Sequence, residues 1–447
     1  MFWIELIIVL AIIFLGVRIG GTFLAMAGGI GMFIMTFILH VTPSDPPITV
    51  ILIMIAVICA AATMQACGGL DYLVKIAEKI LRRNPRMITV LAPVVAYIFT
   101  FMCGTGHIVY SLLPVINEIA IETGVRPERP ISASIVSSQQ AITACPISAA
   151  TVAVLAFMAE ATGYGSVNIF TLLLVCIPAT LVGTVVCALA VIKKGKELAD
   201  DPEFKARVAA GQIEDYTKAE KKERPATKEA KISVAIFLIA MAIFLIAMAG
   251  IVLLGAVKPL VPTLADGNKL PLTTVIEIFM LVAAAAMVLI TKLDSDKVLD
   301  QPVFRTGMFA VVLAFGLCWL VNTFIGDQSS FITDNMSALT NQYPWIYIIA
   351  VFIVGAITTS QSSTTMIMVP IGIALGLPAN IIVAGWIACS SNYFIPASGQ
   401  CVAAIAFDSA GTTKIGKFVL NHSYMVPGLV CTVVSVAAAL LLGSVIF

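Results

Sequence analysis

The chain has 447 residues, of which 60% are hydrophobic and only 11% charged, and its mean hydropathy is +1.03. A net charge of +1 excludes a broad basic nucleic-acid surface, and so large an apolar fraction excludes a protein bathed mostly in water. What remains is a polytopic membrane protein in a lipid bilayer. Stretches of spanning length recur along the whole sequence, so the first is not read as a removable signal peptide.

In chain order, a first span is predicted from about Trp3 to Val17, ending at Arg18, and a second from about Thr22 to His40. Gly20, Gly21, Gly28, Gly29 and Gly31 would let another helix approach the second span closely. The turn Pro43–Pro47 carries no Lys or Arg, and a third span follows to about Ala66. Residues 70–83 read as an interfacial helix, because Leu70, Leu73, Ile76, Ile80 and Leu81 share one face while Lys75, Lys79, Arg82 and Arg83 keep to the other. The positive-inside rule places that helix in the cytoplasm.

The stretch 87–123 has two apolar arms, Met87–Met102 and His107–Thr123, joined by the uncharged link Cys103–Gly106. Two full spans and a re-entrant hairpin would both return the chain to the same side, so charge does not choose. The arms are short for spans, and the same layout recurs at 344–377 around the tip Thr358–Ser363, which favours hairpins. After each hairpin comes a long apolar stretch broken by a polar cluster on a proline. The first runs from about 131 to 158 and is broken at Pro146; the second runs from about 380 to 407 and is broken at Pro396.

Residues 193–231 form the one substantial polar stretch, with mixed charge, and are expected to be a solvated cytoplasmic linker. Further spans are predicted after Glu160–Asn168, returning by about Ile192, then near Ile232–Ala256, Leu272–Thr291 and Gly307–Phe324, and from about Tyr424 onward. The expected fold is therefore an all-α polytopic membrane protein of two repeats, 1–192 and 232–447. Each repeat would hold five transmembrane helices plus one re-entrant hairpin, with broken helices at the site. Five is odd, so the repeats must be inverted, the architecture of secondary transporters with a midplane site.

The four polar clusters read as one substrate-binding site. The first tip offers Gly104, Thr105, Gly106 and His107, and the first break Ser137, Ser138, Gln139 and Thr143. The second tip offers Ser360, Gln361, Ser362, Ser363 and Thr364, and the second break Ser390, Ser391 and Asn392. Pro146 and Pro396 each remove a backbone donor and free a carbonyl about a turn earlier. No Lys or Arg occurs from Met87 to Val125 or from Tyr343 to Phe407, so a bound anion would be balanced by helix dipoles, by His107 or by a co-bound cation. Each hydroxyl has a structural rival role, since Ser and Thr in membrane helices bond their own backbone, and His107 could serve packing alone.

Two other function classes are weighed. A carrier driven by Na+ or H+ would favour a buried carboxylate at the breaks; neither break has one, and Asp408 lies at a helix end. An intramembrane enzyme would need a nucleophile with a base, for which Cys145 with Ser148 and His107 is the sole candidate set. The ten cysteines lack metal-ligand spacing, and no metal or cofactor is expected.

The runs Leu81-Arg-Arg-Asn-Pro-Arg86, Cys103-Gly-Thr-Gly-His-Ile-Val-Tyr110, Arg126-Pro-Glu-Arg-Pro130 and Phe407–Ser423 resemble the anaerobic C4-dicarboxylate transporter family over nearly the whole chain. The resemblance implies a carrier of the bacterial inner membrane that takes up fumarate, malate or aspartate and exports succinate. It also implies inverted repeats with re-entrant hairpins, in which a transport domain moves like an elevator against a dimerisation scaffold, hence a homodimer. One departure stands out: some relatives carry an acidic residue after the second broken-helix proline, where this chain has Ala-Ser-Gly-Gln400. On this reading the two carboxylates of a C4 acid divide between the halves, and coupling to Na+ or H+ stays open.

Overall fold

A chain immersed in lipid must satisfy its backbone polar groups internally, and in the computed structural model every regular element among the described residues is helical. The described residues are 2–19, 22–67, 70–146, 148–210, 239, 242–243, 246–247, 250, 253–254, 261–265, 267, 270–328, 331, 342–396, 398–415 and 421–447. Most of the span expected near Ile232–Ala256, and residues 211–231 of the expected linker, lie outside them. Among them, seven helical runs are long and apolar enough to cross a bilayer. The chain is a polytopic, multi-pass membrane protein.

The first half comprises α1 (Phe2–Ile19), α2 (Phe23–Phe33, continued by a π-turn over Ile34–Ile38), α3 (Ile48–Ala66), α4 (Leu70–Arg83), α5 (Ile88–Cys103), α6 (Val109–Glu122), α7 (Glu128–Ala141), α8 (Ala149–Glu160) and α9 (Ile169–Val191). A short α10 (Pro202–Ala209) follows. The second half comprises α11 (Leu272–Thr291), α12 (Pro302–Leu313), a π-turn over Ala314–Cys318, α13 (Trp319–Asp327), α14 (Trp345–Thr358), α15 (Gln361–Ala374), α16 (Ala379–Ile387), α17 (Gly399–Phe407) and α18 (Met425–Ile446).

These helices pack as two bodies. In one, α2 lies against α1 and the π-turn of 314–318, α3 lies against α11 and α12, and α1 reaches α13. In the other, α9 pairs with α18, α5 with α7, and α14 with α16 and the 388–393 turn. The seam between them is formed by α8 and α15, which touch each other and lean on α3, α12 and α13.

The first body is locked by a close crossing. A Cβ on Gly28 would overlap the backbone of Gly316, one on Gly316 would strike the Ala25 carbonyl, and one on Gly31 would strike Leu320. Backbone-to-backbone approach of this kind is how membrane helices gain dispersion energy without a hydrophobic drive. Gly29 faces open space, and Gly20 and Gly21 lie outside the described residues.

The start of the expected linker does not trail into solvent. Leu198, 2% exposed, inserts against Ile121 and Ala410 with Phe204 alongside. Around it Arg129 meets Glu197 at 2.6 Å, Lys194 meets Glu128 at 3.0 Å, and Arg126 is paired with both Glu128 and Asp201. Lys194 Nζ also donates to the Ser423 carbonyl at 2.9 Å, and Glu128 N donates to Thr412 Oγ1 at 2.9 Å. The Arg126–Pro130 run and the 407–423 run, far apart in sequence, therefore meet beneath this strap.

Candidate functional site

Each arm-and-tip segment turns sharply at a left-handed residue. Gly104, at φ 70°, ends α5, and Thr359, at φ 52°, ends α14. A short 3-10 turn over Gly106–Ile108 then leads into α6, while Ser360 caps α15, its hydroxyl accepting from Ser363 N at 3.2 Å. The two interrupted helices break in parallel fashion. After α7 a 3-10 turn over Ile142–Ala144 reaches Pro146, and Ser148 caps α8 by accepting from Thr151 N at 3.2 Å. After α16 a 3-10 turn over Ala388–Tyr393 reaches Pro396, and Ser398 caps α17 by accepting from Cys401 N at 3.4 Å.

All four restarts converge on one cavity of about 250 Å³ at the seam. The first tip contributes Gly104, Thr105 and Gly106, and the second contributes Thr359, Ser360, Gln361 and Ser362. The breaks contribute Gln139, Ile142, Ser148 and Ala149 from one side and Asn392, Ser398, Gly399 and Gln400 from the other. The opposite body supplies Ile58 from α3 and Val303 and Gly307 from α12, an apolar wall. None of these lining side chains is ionisable. The convergent backbone N–H groups and positive dipole ends could therefore hold an anion, with polarity that comes from the backbone and neutral side chains.

Gln139 is the hub of that wall. Its Oε1 accepts from Gln361 Nε2 at 2.6 Å and from Asn392 Nδ2 at 2.9 Å, and its carbonyl accepts from Ser390 Oγ at 3.4 Å. Gln139 and Asn392 are 1% and 2% exposed. Gln139 Nε2 and Asn392 Oδ1 have no hydrogen-bond partner. The Ser362 hydroxyl lines the cavity, half-buried.

Other residues expected at the site brace it instead. Ser138 donates to the Gly106 carbonyl at 3.1 Å and so accepts from Thr100 Oγ1 at 2.8 Å, holding the first tip. Thr364 pairs with Thr358 at 2.8 Å and Ser363 donates to Ser360 at 3.0 Å, holding the second. Thr143 donates to the Gln140 carbonyl at 2.9 Å, and Ser391 to the Phe352 carbonyl at 2.6 Å. Ser137 is fully buried near Cys187. The His107 backbone lies in the 106–108 turn; its side chain is outside what is described. Ser148, Ser398, Gly399 and Gln400 line the cavity without having been singled out as substrate contacts. A signal existed: Pro146-Ile-Ser-Ala149 and Pro396-Ala-Ser-Gly399 repeat a proline followed two residues later by a helix-capping serine.

A model of the anaerobic C4-dicarboxylate membrane transporter family matches residues 1–447. The chain belongs to that family. It is a membrane transporter and not an enzyme. The anaerobic C4-dicarboxylate transporter DcuB of Escherichia coli O6:H1 is 39% identical over 439 residues, covering 97% of each chain. The C4-dicarboxylate transporter DcuA of Wolinella succinogenes is 38% identical over 442 residues, covering 99% of each. Among solved structures, Neisseria gonorrhoeae MtrF aligns over 92% of this chain and 83% of its own, with a TM-score of 0.42 and 13% identity, a likeness that carries no argument.

Proposed function

We propose that this chain exchanges C4-dicarboxylates across the bacterial inner membrane, taking in fumarate, malate or aspartate and releasing succinate. The observation that carries the reading is the meeting of four helix N-termini in one cavity whose lining side chains are all neutral. Each end is equivalent to about half a positive charge, so four offer about two, the charge of a C4 dianion. Hydroxyls and amides on both sides of the cavity let the two carboxylates divide between the halves, one toward Gly104–Gly106 and Gln139, the other toward Ser360–Ser362.

In this reading 87–123 and 344–377 are re-entrant hairpins of two inverted repeats, 1–192 and 232–447, joined by a cytoplasmic linker over 193–231. The short α5, α14 and α15, and helices that restart beside one cavity, support that topology. The body holding α5–α7, α9, α14 and α16–α18 is the moving one, and the body holding α1–α3 and α11–α13 is a scaffold through which two copies pair. An apolar scaffold wall of Ile58, Val303 and Gly307 supports an elevator, because it offers the substrate no polar grip that would resist movement.

One observation favours a second reading, symport with Na+ or H+: the Asp408 carboxylate is 4% exposed and its Oδ1 has no partner. Vesicles loaded with succinate and given labelled external fumarate separate the two. Exchange predicts uptake only with internal counter-substrate and without need of Na+ or a pH gradient. Uptake into empty vesicles that follows either ion would overturn it.

A further inference from the structure

The orientation of three buried amides in the cavity wall is fixed by a backbone atom. Gln361 Nε2 lies 3.4 Å from the Gln139 carbonyl oxygen, which can only accept, so that end of the Gln361 amide must be the donor. The same Nε2 is 2.6 Å from the Gln139 side chain, which must present Oε1 there. Asn392 stands 2.9 Å from that Oε1 and must present Nδ2. Gln139 Nε2, a donor, and Asn392 Oδ1, an acceptor, are thereby left buried and unpartnered. Native proteins leave few such atoms unpaired, and each costs stability where they do. Because the two amides are bonded to one another, the orphan donor and orphan acceptor are at most about 7 Å apart, on residues that both line one cavity.

That pairing matches a particular chemistry. A carboxylate accepts from Gln139 Nε2, but no plain carboxylate can satisfy Asn392 Oδ1, which needs a donor. A hydroxyl or ammonium on the carbon beside the carboxylate supplies one. We infer that Asn392 reads carbon 2 of the transported acid, so that the site favours C4 diacids with a hydrogen-bond donor there over unsubstituted ones. The inference rests on the reading of this cavity as a C4-dicarboxylate site and adds to it a residue that ranks the substrates.

The test uses the full-length carrier in vesicles, with succinate inside, labelled fumarate outside and unlabelled competitors added. Malate and aspartate should compete at about tenfold lower concentration than 2-methylsuccinate or 2-methoxysuccinate, which fill similar space without a donor. In Asn392→Leu that ratio should shrink to about twofold or less, whatever happens to the overall rate. Equal competition by malate and 2-methoxysuccinate in the wild-type carrier would overturn the inference, as would an unchanged ratio in the variant. If Asn392→Leu does not fold, the wild-type ranking decides alone. Robust succinate-for-fumarate exchange with a flat competitor ranking counts against the role of Asn392 only. Absence of that exchange removes the transport reading and the inference together.

Discussion

Gln139 and Gln361 are 222 positions apart, one at the end of α7 and the other at the start of α15, yet their side-chain amides meet at 2.6 Å inside the cavity wall. The contact ties the first break to the second tip, and with Asn392 it ties both halves of the chain. Gln361→Leu leaves Gln139 Oε1 with one donor instead of two and unties the tip. Fumarate exchange should fall at least about tenfold at equal amounts of carrier in the vesicles.

The capping serines give a graded prediction. Ser148→Ala and Ser398→Ala should each lower stability by about 1 kcal/mol, while the glycine replacements should cost only a few tenths. Thermal unfolding in detergent reads the difference. Both alanine variants should also raise the half-saturating substrate concentration, since the capped N-termini face the cavity.

The two left-handed tip residues should respond in opposite directions. Thr359 carries a β-branched side chain at φ 52°, and Thr359→Gly should stabilise the protein by about 1 kcal/mol. Gly104 sits at φ 70°, and Gly104→Ala should destabilise it by a similar amount. Melting temperatures that move the same way in both would contradict this account of the tips.

At the crossing of α2 with the 314–318 π-turn, Gly28→Leu must push Gly316 away and should lower the melting temperature sharply, by the equivalent of about 1–3 kcal/mol or more. Gly29→Ala, one residue along but facing open space, should not lower stability and should raise it by up to about 1 kcal/mol through helix propensity. The pair separates helix contact from any general intolerance of that segment.

His422 supplies a pH dependence. Its Nε2 lies 3.2 Å from the Phe394 carbonyl and its Nδ1 accepts from Tyr424 N at 3.1 Å, an arrangement that requires the neutral ring. Burial pushes its pKa below the ordinary 6.5, outweighing the hydrogen bond to Phe394, and nearby Lys194 adds to the lowering. The sign follows: the unfolded chain takes up the proton first, so this contribution is complete above 6.5 and is lost as pH falls below it toward the folded value. Melting measured between about pH 7.5 and 5.5 should show the slope in the wild type and less of it in His422→Gln.

Much of the cavity could be read from the chain because polar residues inside apolar runs are conspicuous. Gly104–Gly106, Gln139, Ser360–Ser362 and Asn392 all line it. Their neighbours were harder to separate. Ser138 and Ser391 have the same side chain as the serines that line the cavity, and packing shows that they spend their hydroxyls on the Gly106 and Phe352 carbonyls. Ile58 and Val303 are apolar residues in apolar helices, and nothing in their sequence surroundings marks the face they turn to the cavity. The strap over 193–209 was hidden for the opposite reason. Its charges look like those of any solvated stretch until Leu198, Arg129 and Glu128 are brought together.

Because the described side chains that line the cavity are hydroxyls, carboxamides and hydrocarbon, they have no proton of their own to gain or lose over the physiological range. On the dicarboxylate reading, acidifying either compartment would leave that lining untouched and alter how many passing acids still carry both charges. Sensitivity to acid would then lie in the cargo and in distant elements such as the His422 loop.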